Sequence, residues 1–301
     1  MKLAITGGTG FVGGRLRALA VAAGHKLRAL TRQPREDERG VEWIVGALDH
    51  RETLQRLVEG CDAVIHVAGV LKARTRAEFD AGNVTGTLNM LAAATAGGVH
   101  RFVHVSSLAA REPTLSLYGA SKARAEQIVM DSGLDWAIVR PPAVYGPGDA
   151  EMLDLFKAAR SGFVPLPPAG RLSIIHADDL ARLLLALADP DAPHRVLYEP
   201  DDGRPHGYSH KEFARAIGAA VERRPLSLSI PAPLLKLSAR ADQLLRGKGA
   251  KLTQDRAAYF CHPDWAVDPA KRPPGELWEP RIDAATGLAD TAAWYAAQGW
   301  I

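Results

Sequence analysis

Two rhythms of apolar residues alternate along the first two thirds of the chain. Short apolar runs at 2–5, 26–30, 42–45, 62–67, 101–105 and 136–139 read as buried strands. Segments whose apolar residues recur every three or four positions lie between them, at 15–20, 51–59, 77–97 and onward from Tyr118, and these read as helices. Repeated strand–helix–strand units imply a parallel sheet with helices on both faces. Such a sheet presents its binding sites at the carboxyl ends of the strands.

The rhythm changes after Arg140, where prolines stand at 141, 142, 147, 165, 167 and 168. Strands are predicted at 174–175 and 196–198 around a helix at 179–188, with Asp178 and Asp179 as its cap. Beyond about residue 201 the pattern is irregular, with helices expected at 210–221 and 284–297. The stretch 233–246 is amphipathic and basic: Leu234, Leu235, Leu237, Leu244 and Leu245 accompany Lys236, Arg240 and Arg246. It fits a lid or lobe element, or a membrane or partner contact. The division predicts a sheet domain over residues 1–200, with 141–172 contributing to a smaller C-terminal substrate lobe at 201–301.

Composition adds mainly exclusions. The 301 residues are 47% hydrophobic and 24% charged, which is ordinary for a soluble globular protein. The net charge is +3, and the basic residues are scattered, so nucleic-acid binding is not expected. Cys61 and Cys261 are too few for a disulfide framework, which fits a reducing, cytoplasmic setting. No signal peptide precedes the first strand and no stretch is long and apolar enough to span a bilayer. His66, His104 and His176 lie in strand-like runs and read as packing residues. His206, His210 and His262 are too dispersed for a metal site.

Chemistry enters at the first strand-to-helix turn. Thr6-Gly7-Gly8-Thr9-Gly10-Phe11-Val12-Gly13 carries glycines three apart between a legible strand and a legible helix. Gly7 suits the tight turn, Gly10 the approach of backbone N–H groups to a pyrophosphate, and Gly13 close packing of helix on strand. This spacing predicts a bound dinucleotide. Tyr118 and Lys122 are four residues apart, which on a helix puts them on one face. A cation there would lower the tyrosine pKa toward the range useful for proton transfer. Ser106 and Ser107 end the fifth strand eleven positions before Tyr118, where a hydroxyl can hold a substrate carbonyl.

Together these motifs resemble the extended short-chain dehydrogenase/reductases, also described as the epimerase/dehydratase-like family. Its members include nucleotide-sugar epimerases, dihydroflavonol reductases and 3β-hydroxysteroid dehydrogenases. The similarity also covers 62–69, Asn83-Val84 with Gly86-Thr87, 140–148, 176–181, and Trp294-Tyr295 with Gly299-Trp300. It implies a Rossmann-type doubly wound parallel sheet and NAD(P) chemistry. It further implies that Ser107 orients the substrate oxygen, Tyr118 is the acid/base, and Lys122 binds the nicotinamide ribose. Asn83 would hold mid-helix backbone or a relay water. Gly7, Thr9, Gly10, Phe11, Val12 and Leu48 would hold the cofactor together with Ala68, Gly69, Pro141, Ala143 and Val144.

Departures from the family pattern narrow the expectation. The second strand ends Ala29-Leu30-Thr31-Arg32, without the acidic residue that bonds a ribose 2′-OH. Arg32, with Arg35 assisting, suits a 2′-phosphate, so NADP(H) is favoured over NAD(H). Ala47-Leu48 replaces the common Asp-Leu beside the adenine. Ala143 stands where sugar-nucleotide enzymes carry asparagine, and Leu172 where they carry the arginine that grips a diphosphate. The expectation is therefore an NADP(H)-dependent oxidoreductase interconverting a small ketone or aldehyde and an alcohol, with a homodimer as the candidate assembly. The alternatives are an epimerase/dehydratase and a non-catalytic NADP(H)-binding accessory subunit like that of respiratory complex I.

Overall fold

The computed structural model describes residues 1–249 and 252–301. The chain opens with β1 (Lys2–Thr6), α1 (Phe11–Ala22), β2 (Lys26–Thr31), β3 (Val41–Val45), α2 (Arg51–Val58) and β4 (Ala63–His66). There follow α3 (Arg76–Phe79), a π-helical turn (Asp80–Thr85), α4 (Gly86–Ala96), β5 (Arg101–Val105), α5 (Leu117–Met130) and β6 (Asp135–Val139). The middle of the chain holds β7 (Ala143–Tyr145), α6 (Leu153–Ser161), β8 (Phe163–Leu166), β9 (Arg171–Leu172), β10 (Ile174–His176), α7 (Ala177–Leu187) and β11 (Val196–Tyr198). The last elements are β12 (Tyr208–Ser209), α8 (His210–Ala220), β13 (Leu226–Ser229), α9 (Ala232–Arg246), α10 (Gln254–Cys261), β14 (Asp264–Trp265) and α11 (Ala284–Ala297).

Contacts divide the chain into two units. The first comprises 1–141, 177–200 and 269–279. Its seven strands run parallel in the order β11-β6-β5-β4-β1-β2-β3, a Rossmann-type arrangement whose order reverses between β1 and β4. Strand pleating sorts the core. Ala4, Val64, Phe102 and Ile138 meet Leu54 and Leu57 of α2, Met90 of α4 and Val129 of α5. The alternate residues Leu3, Ile5, Ile65 and Val103 are fully buried on the opposite face. Each such leucine, isoleucine, valine or phenylalanine contributes roughly 1.5–3 kcal/mol. Helices α1 and α7 pack together, and Arg15 forks onto both oxygens of Asp178 at 2.5 Å.

Two local expectations change here. The long helix expected over 77–97 is interrupted by the π-helical turn, whose wider spiral carries Asn83 inward. Asp178 and Asp179 lie inside the first turn of α7, not ahead of it, and pair with Arg15 and Arg182.

The second unit comprises 142–176, 201–268 and 280–301. Its core gathers Tyr145, Phe156, Ile217, Leu288 and Tyr295. Three small sheets brace it: β7 with β10, β9 between β12 and β14, and β8 with β13. The segment that reads as irregular in sequence thus contains β13, α10 and β14. The strands β13 and β14 pair with β8 and β9, 63 and 93 residues earlier in the chain, beyond any local pattern.

Candidate active site

The glycine loop leaves β1 at Thr6 and enters α1 at Phe11. Gly7 has φ +73°, and a β-carbon there would sit 2.8 Å from the Ala68 nitrogen. A β-carbon on Gly13 would sit 2.0 Å from the Gly7 carbonyl oxygen, so only glycine lets α1 start this close to the turn. Gly10 caps α1 with no side-chain hydrogen bond, and the first turn carries no acidic residue. Nothing at the helix start competes for an anion there. On the outward side of Gly10 a β-carbon would meet only the Gly7 oxygen, at 3.4 Å. The loop therefore fits a dinucleotide pyrophosphate, with exposed Thr9 and Gly10 and half-buried Phe11 and Val12 around it.

The two serines ending β5 separate into different roles. Ser106 is buried and donates to Glu126 Oε1 at 2.5 Å. Ser107 is half-buried, accepts the Ala109 N–H at 3.2 Å and hydrogen-bonds the Tyr118 phenol. Tyr118 stands in the first turn of α5, which Ser116 caps through the Gly119 N–H. Its ring packs on Phe79 with centroids 6.1 Å apart. One turn later Lys122 is buried, and its ammonium donates to the Val105 carbonyl at 2.7 Å.

The expected lowering of the Tyr118 pKa is not what this geometry gives. Burial pushes the phenol up to about 12, with the Ser107 hydrogen bond opposing. Lys122 is itself pushed down to about 8 by burial, with Glu126 opposing. The correction has a simple cause: the ammonium is tied to the Val105 carbonyl, and desolvation of the phenol dominates. The phenol is consequently protonated throughout the neutral range.

A buried polar chain backs the site and was invisible in the sequence. Thr87 donates to the Asn83 carbonyl at 2.7 Å, so its oxygen takes the His66 Nε2 proton at 3.1 Å. His66 Nδ1 then accepts from the Thr6 hydroxyl at 2.7 Å, whose oxygen accepts the Ala68 N–H at 3.2 Å. Burial, with Lys122 nearby, pushes His66 down to about 3 and His104 far below its ordinary value, so both rings are neutral. Asn83 accepts the Val70 N–H at 2.6 Å and donates to the Val70 carbonyl and to Ser121 Oγ. It ties the turn after Ala68-Gly69 to α5. Asp80, on the π-helical turn, pairs with Arg124 of α5.

Charge pairing fixes the other side of α5. Arg140 forks onto Glu126 at 2.8 and 2.7 Å and reaches Glu199 at 3.3 Å. Arg111 and Lys271 also approach Glu199, at 3.6 and 3.8 Å. Pro141 follows Arg140 directly, and its carbonyl accepts the Leu108 N–H.

The remaining expected cofactor residues are spread more widely. Ala68 and Gly69 lie beside the loop; a β-carbon on Gly69 would be 3.1 Å from Asn83 Oδ1 and 3.7 Å from Lys122 Nζ. Arg32, at the end of β2, is exposed and has no salt-bridge partner among the described residues. Arg35 and Arg17 both lie over the Trp43 ring, at 5.3 and 5.2 Å. Leu48 packs against the sheet core, and its carbonyl accepts from Asn89. Ala143 and Val144 lie on β7, in the second unit.

Comparisons with known proteins give the family and the fold. The profile of a family described as NAD(P)H-binding matches residues 7–189. The chain is 37% identical over 308 residues to a ceramide reductase of Caulobacter vibrioides, covering 99% of this chain and 96% of that one. It is 30% identical to a 2-alkyl-3-oxoalkanoate reductase of Stenotrophomonas maltophilia, covering 96% and 97%. Among solved structures, that of gox2253 superposes with a TM-score of 0.79 at 24% identity, covering 100% and 99%, a likeness of fold.

Proposed function

The chain belongs to the NAD(P)H-binding family of extended short-chain dehydrogenase/reductases, and on that premise we propose that it reduces a ketone on an alkyl-bearing molecule, with NADPH as the preferred donor. The observation that carries the reading is Tyr118, held against Ser107 with a phenol that stays protonated at neutral pH. Ser107 and Tyr118 together can hold a carbonyl oxygen. A reduced nicotinamide, when bound, supplies the hydride that the carbonyl carbon accepts. The Tyr118 phenol gives its proton to the oxygen as negative charge develops there. Lys122, beside Gly69 and one turn after Tyr118 on α5, supplies positive charge on the cofactor side.

Three features support the finer choices. Arg32 is exposed at the end of β2 and has no salt-bridge partner among the described residues, and a guanidinium there can fork onto a 2′-phosphate. Ala143 and Leu172 leave no polar side chain for a sugar diphosphate at those positions. Two relatives matched over nearly their whole length are named a ceramide reductase and a 2-alkyl-3-oxoalkanoate reductase.

NADPH oxidation measured against a panel of 3-oxoalkanoates and 3-oxoamides tests the reading, with NADH and UDP-glucose as competitors. Turnover should appear with the oxo compounds and NADPH, and Arg32→Ala should reduce the preference for NADPH over NADH about tenfold or more. Micromolar binding of UDP-glucose without ketone turnover would overturn the substrate class. Equal affinity for both cofactors would overturn the role of Arg32.

A further inference from the structure

Helix α9 carries apolar residues on two faces. Leu235, Ala239 and Asp242 recur at four and three residues and turn inward, with Ala239 fully buried. This face packs on α10, and Asp242 accepts the Leu252 N–H at 2.9 Å. Leu234, Leu237, Leu244 and Leu245 occupy the opposite face and are 53%, 60%, 86% and 86% exposed. An isolated exposed leucine is ordinary; four along one stripe are not.

The apolar surface continues on the preceding strand. Leu226 and Leu228 of β13 pair with Phe163 and Pro165 of β8, and all four are exposed on one face of that two-stranded sheet. Only Ile230 and Pro231 separate β13 from α9, so Ser229 and Ala232 are at most about 11 Å apart.

Charge identifies the occupant. Residues 222–249 contain six basic and two acidic side chains, whereas the whole chain has 37 and 34. Lys236 and Arg240 border the leucine stripe along one edge of α9, and both are exposed. Leucines flanked by long cationic side chains match an anionic phospholipid surface: the leucines enter the acyl boundary and the cations reach back to the phosphates. A second copy of the chain fits less well. A 15-residue helix is about 22 Å long, and its single stripe covers far less than the roughly 800 Å² per partner of a stable interface. Pairing it with itself would also bring two basic edges together.

We propose that α9, with the leucines of β13, is an interfacial element that docks the second unit onto an anionic bilayer surface. The helix lies in the plane of the membrane and does not cross it; among the described residues no helix is long and apolar enough to do so.

Vesicle co-sedimentation of the full chain tests this, using phosphatidylcholine alone and phosphatidylcholine with about 30 mol% phosphatidylglycerol. The unmodified chain should bind the anionic vesicles, and binding should weaken at about 0.5 M salt. Leu244→Ser with Leu245→Ser should weaken it about tenfold or more. Lys236→Gln with Arg240→Gln should remove the preference for anionic over neutral vesicles. Turnover of a water-soluble ketone should be unchanged in every variant, so a folding defect or a wrong assignment of activity would be seen separately. Absence of vesicle binding, or binding untouched by the leucine changes, overturns the proposal. So does a lipid-independent dimer that dissociates when the leucines are replaced, since the face would then belong to a second copy.

Discussion

Helices α5 and α9 are nearly equal in length, 14 and 15 residues, and each inverts the usual rule of burial. Helix α5 takes polar groups inside: Ser121, Lys122 and Glu126 are at most 4% exposed. Helix α9 leaves apolar groups outside. Every buried polar group of α5 has a named partner: Val105 for Lys122, Asn83 for Ser121, and Ser106 and Arg140 for Glu126. That is the condition under which polar burial is tolerated. No counterpart among the described residues covers the outer leucines of α9. One helix is committed to holding chemistry within its own unit, and the other keeps its adhesive surface for something outside.

The strongest way to test this contrast is at the reacting group. Tyr118→Phe should lower turnover about a hundredfold to ten-thousandfold while thermal stability and NADPH affinity hold. Steady-state rates with a cofactor titration read both, and unchanged turnover would remove Tyr118 from its assigned role. The next largest effect should come from Glu126→Ala, which takes from the half-buried Arg140 guanidinium its two shortest bonds and leaves it only Glu199 at 3.3 Å. Breaking such a pair costs about 3–5 kcal/mol, readable by equilibrium denaturation. A loss below about 1 kcal/mol would mean that the pair is not buried as described.

A pH series sharpens the comparison further. Lys122 titrates at about 8 in the fold, against an ordinary 10.5. Between those values the unfolded chain keeps the proton and the folded chain does not. Its contribution therefore rises as pH goes from about 8 to 10.5 and is lost as pH falls back through 8. The full span is on the order of 3 kcal/mol. The difference in unfolding free energy between the unmodified chain and Lys122→Met should change across that window; a constant difference would contradict the buried ammonium. The smallest effect belongs to α9. Leu244→Ser and Leu245→Ser should each leave the unfolding free energy within about 0.5 kcal/mol, because neither leucine is buried.

What could be read from the sequence follows the same division. Strands such as Leu3-Ala4-Ile5 and the turn Gly7–Gly13 announce themselves, because burial and backbone geometry act over a few neighbouring residues. Tyr118 and Lys122 were legible for the same reason. Asn83 was named, with mid-helix backbone or a relay water to hold; that it bonds Val70 and Ser121 could not be read, because the π-helical turn that swings it there has no periodic signature. The pairing of Arg140 with Glu126 and Glu199 joins residues 14 and 59 positions apart. The shift of Tyr118 toward higher pKa could not be foreseen, because spacing along a helix says nothing of how dry its surroundings are.

The buried row from Ala68 to Asn83 has a direction. Its protons run Ala68 N–H to Thr6, Thr6 to His66, His66 to Thr87 and Thr87 to the Asn83 carbonyl. The terminal amide can only give and the terminal carbonyl can only receive, so the sequence of donors cannot be reversed. The bond dipoles therefore add head to tail, and each link polarises the next. It works as a one-way latch between the root of the glycine loop and the turn that carries Asn83. Thr6→Val, though close in shape, would leave both the Ala68 amide and the His66 ring without their partners and would open the latch at one end.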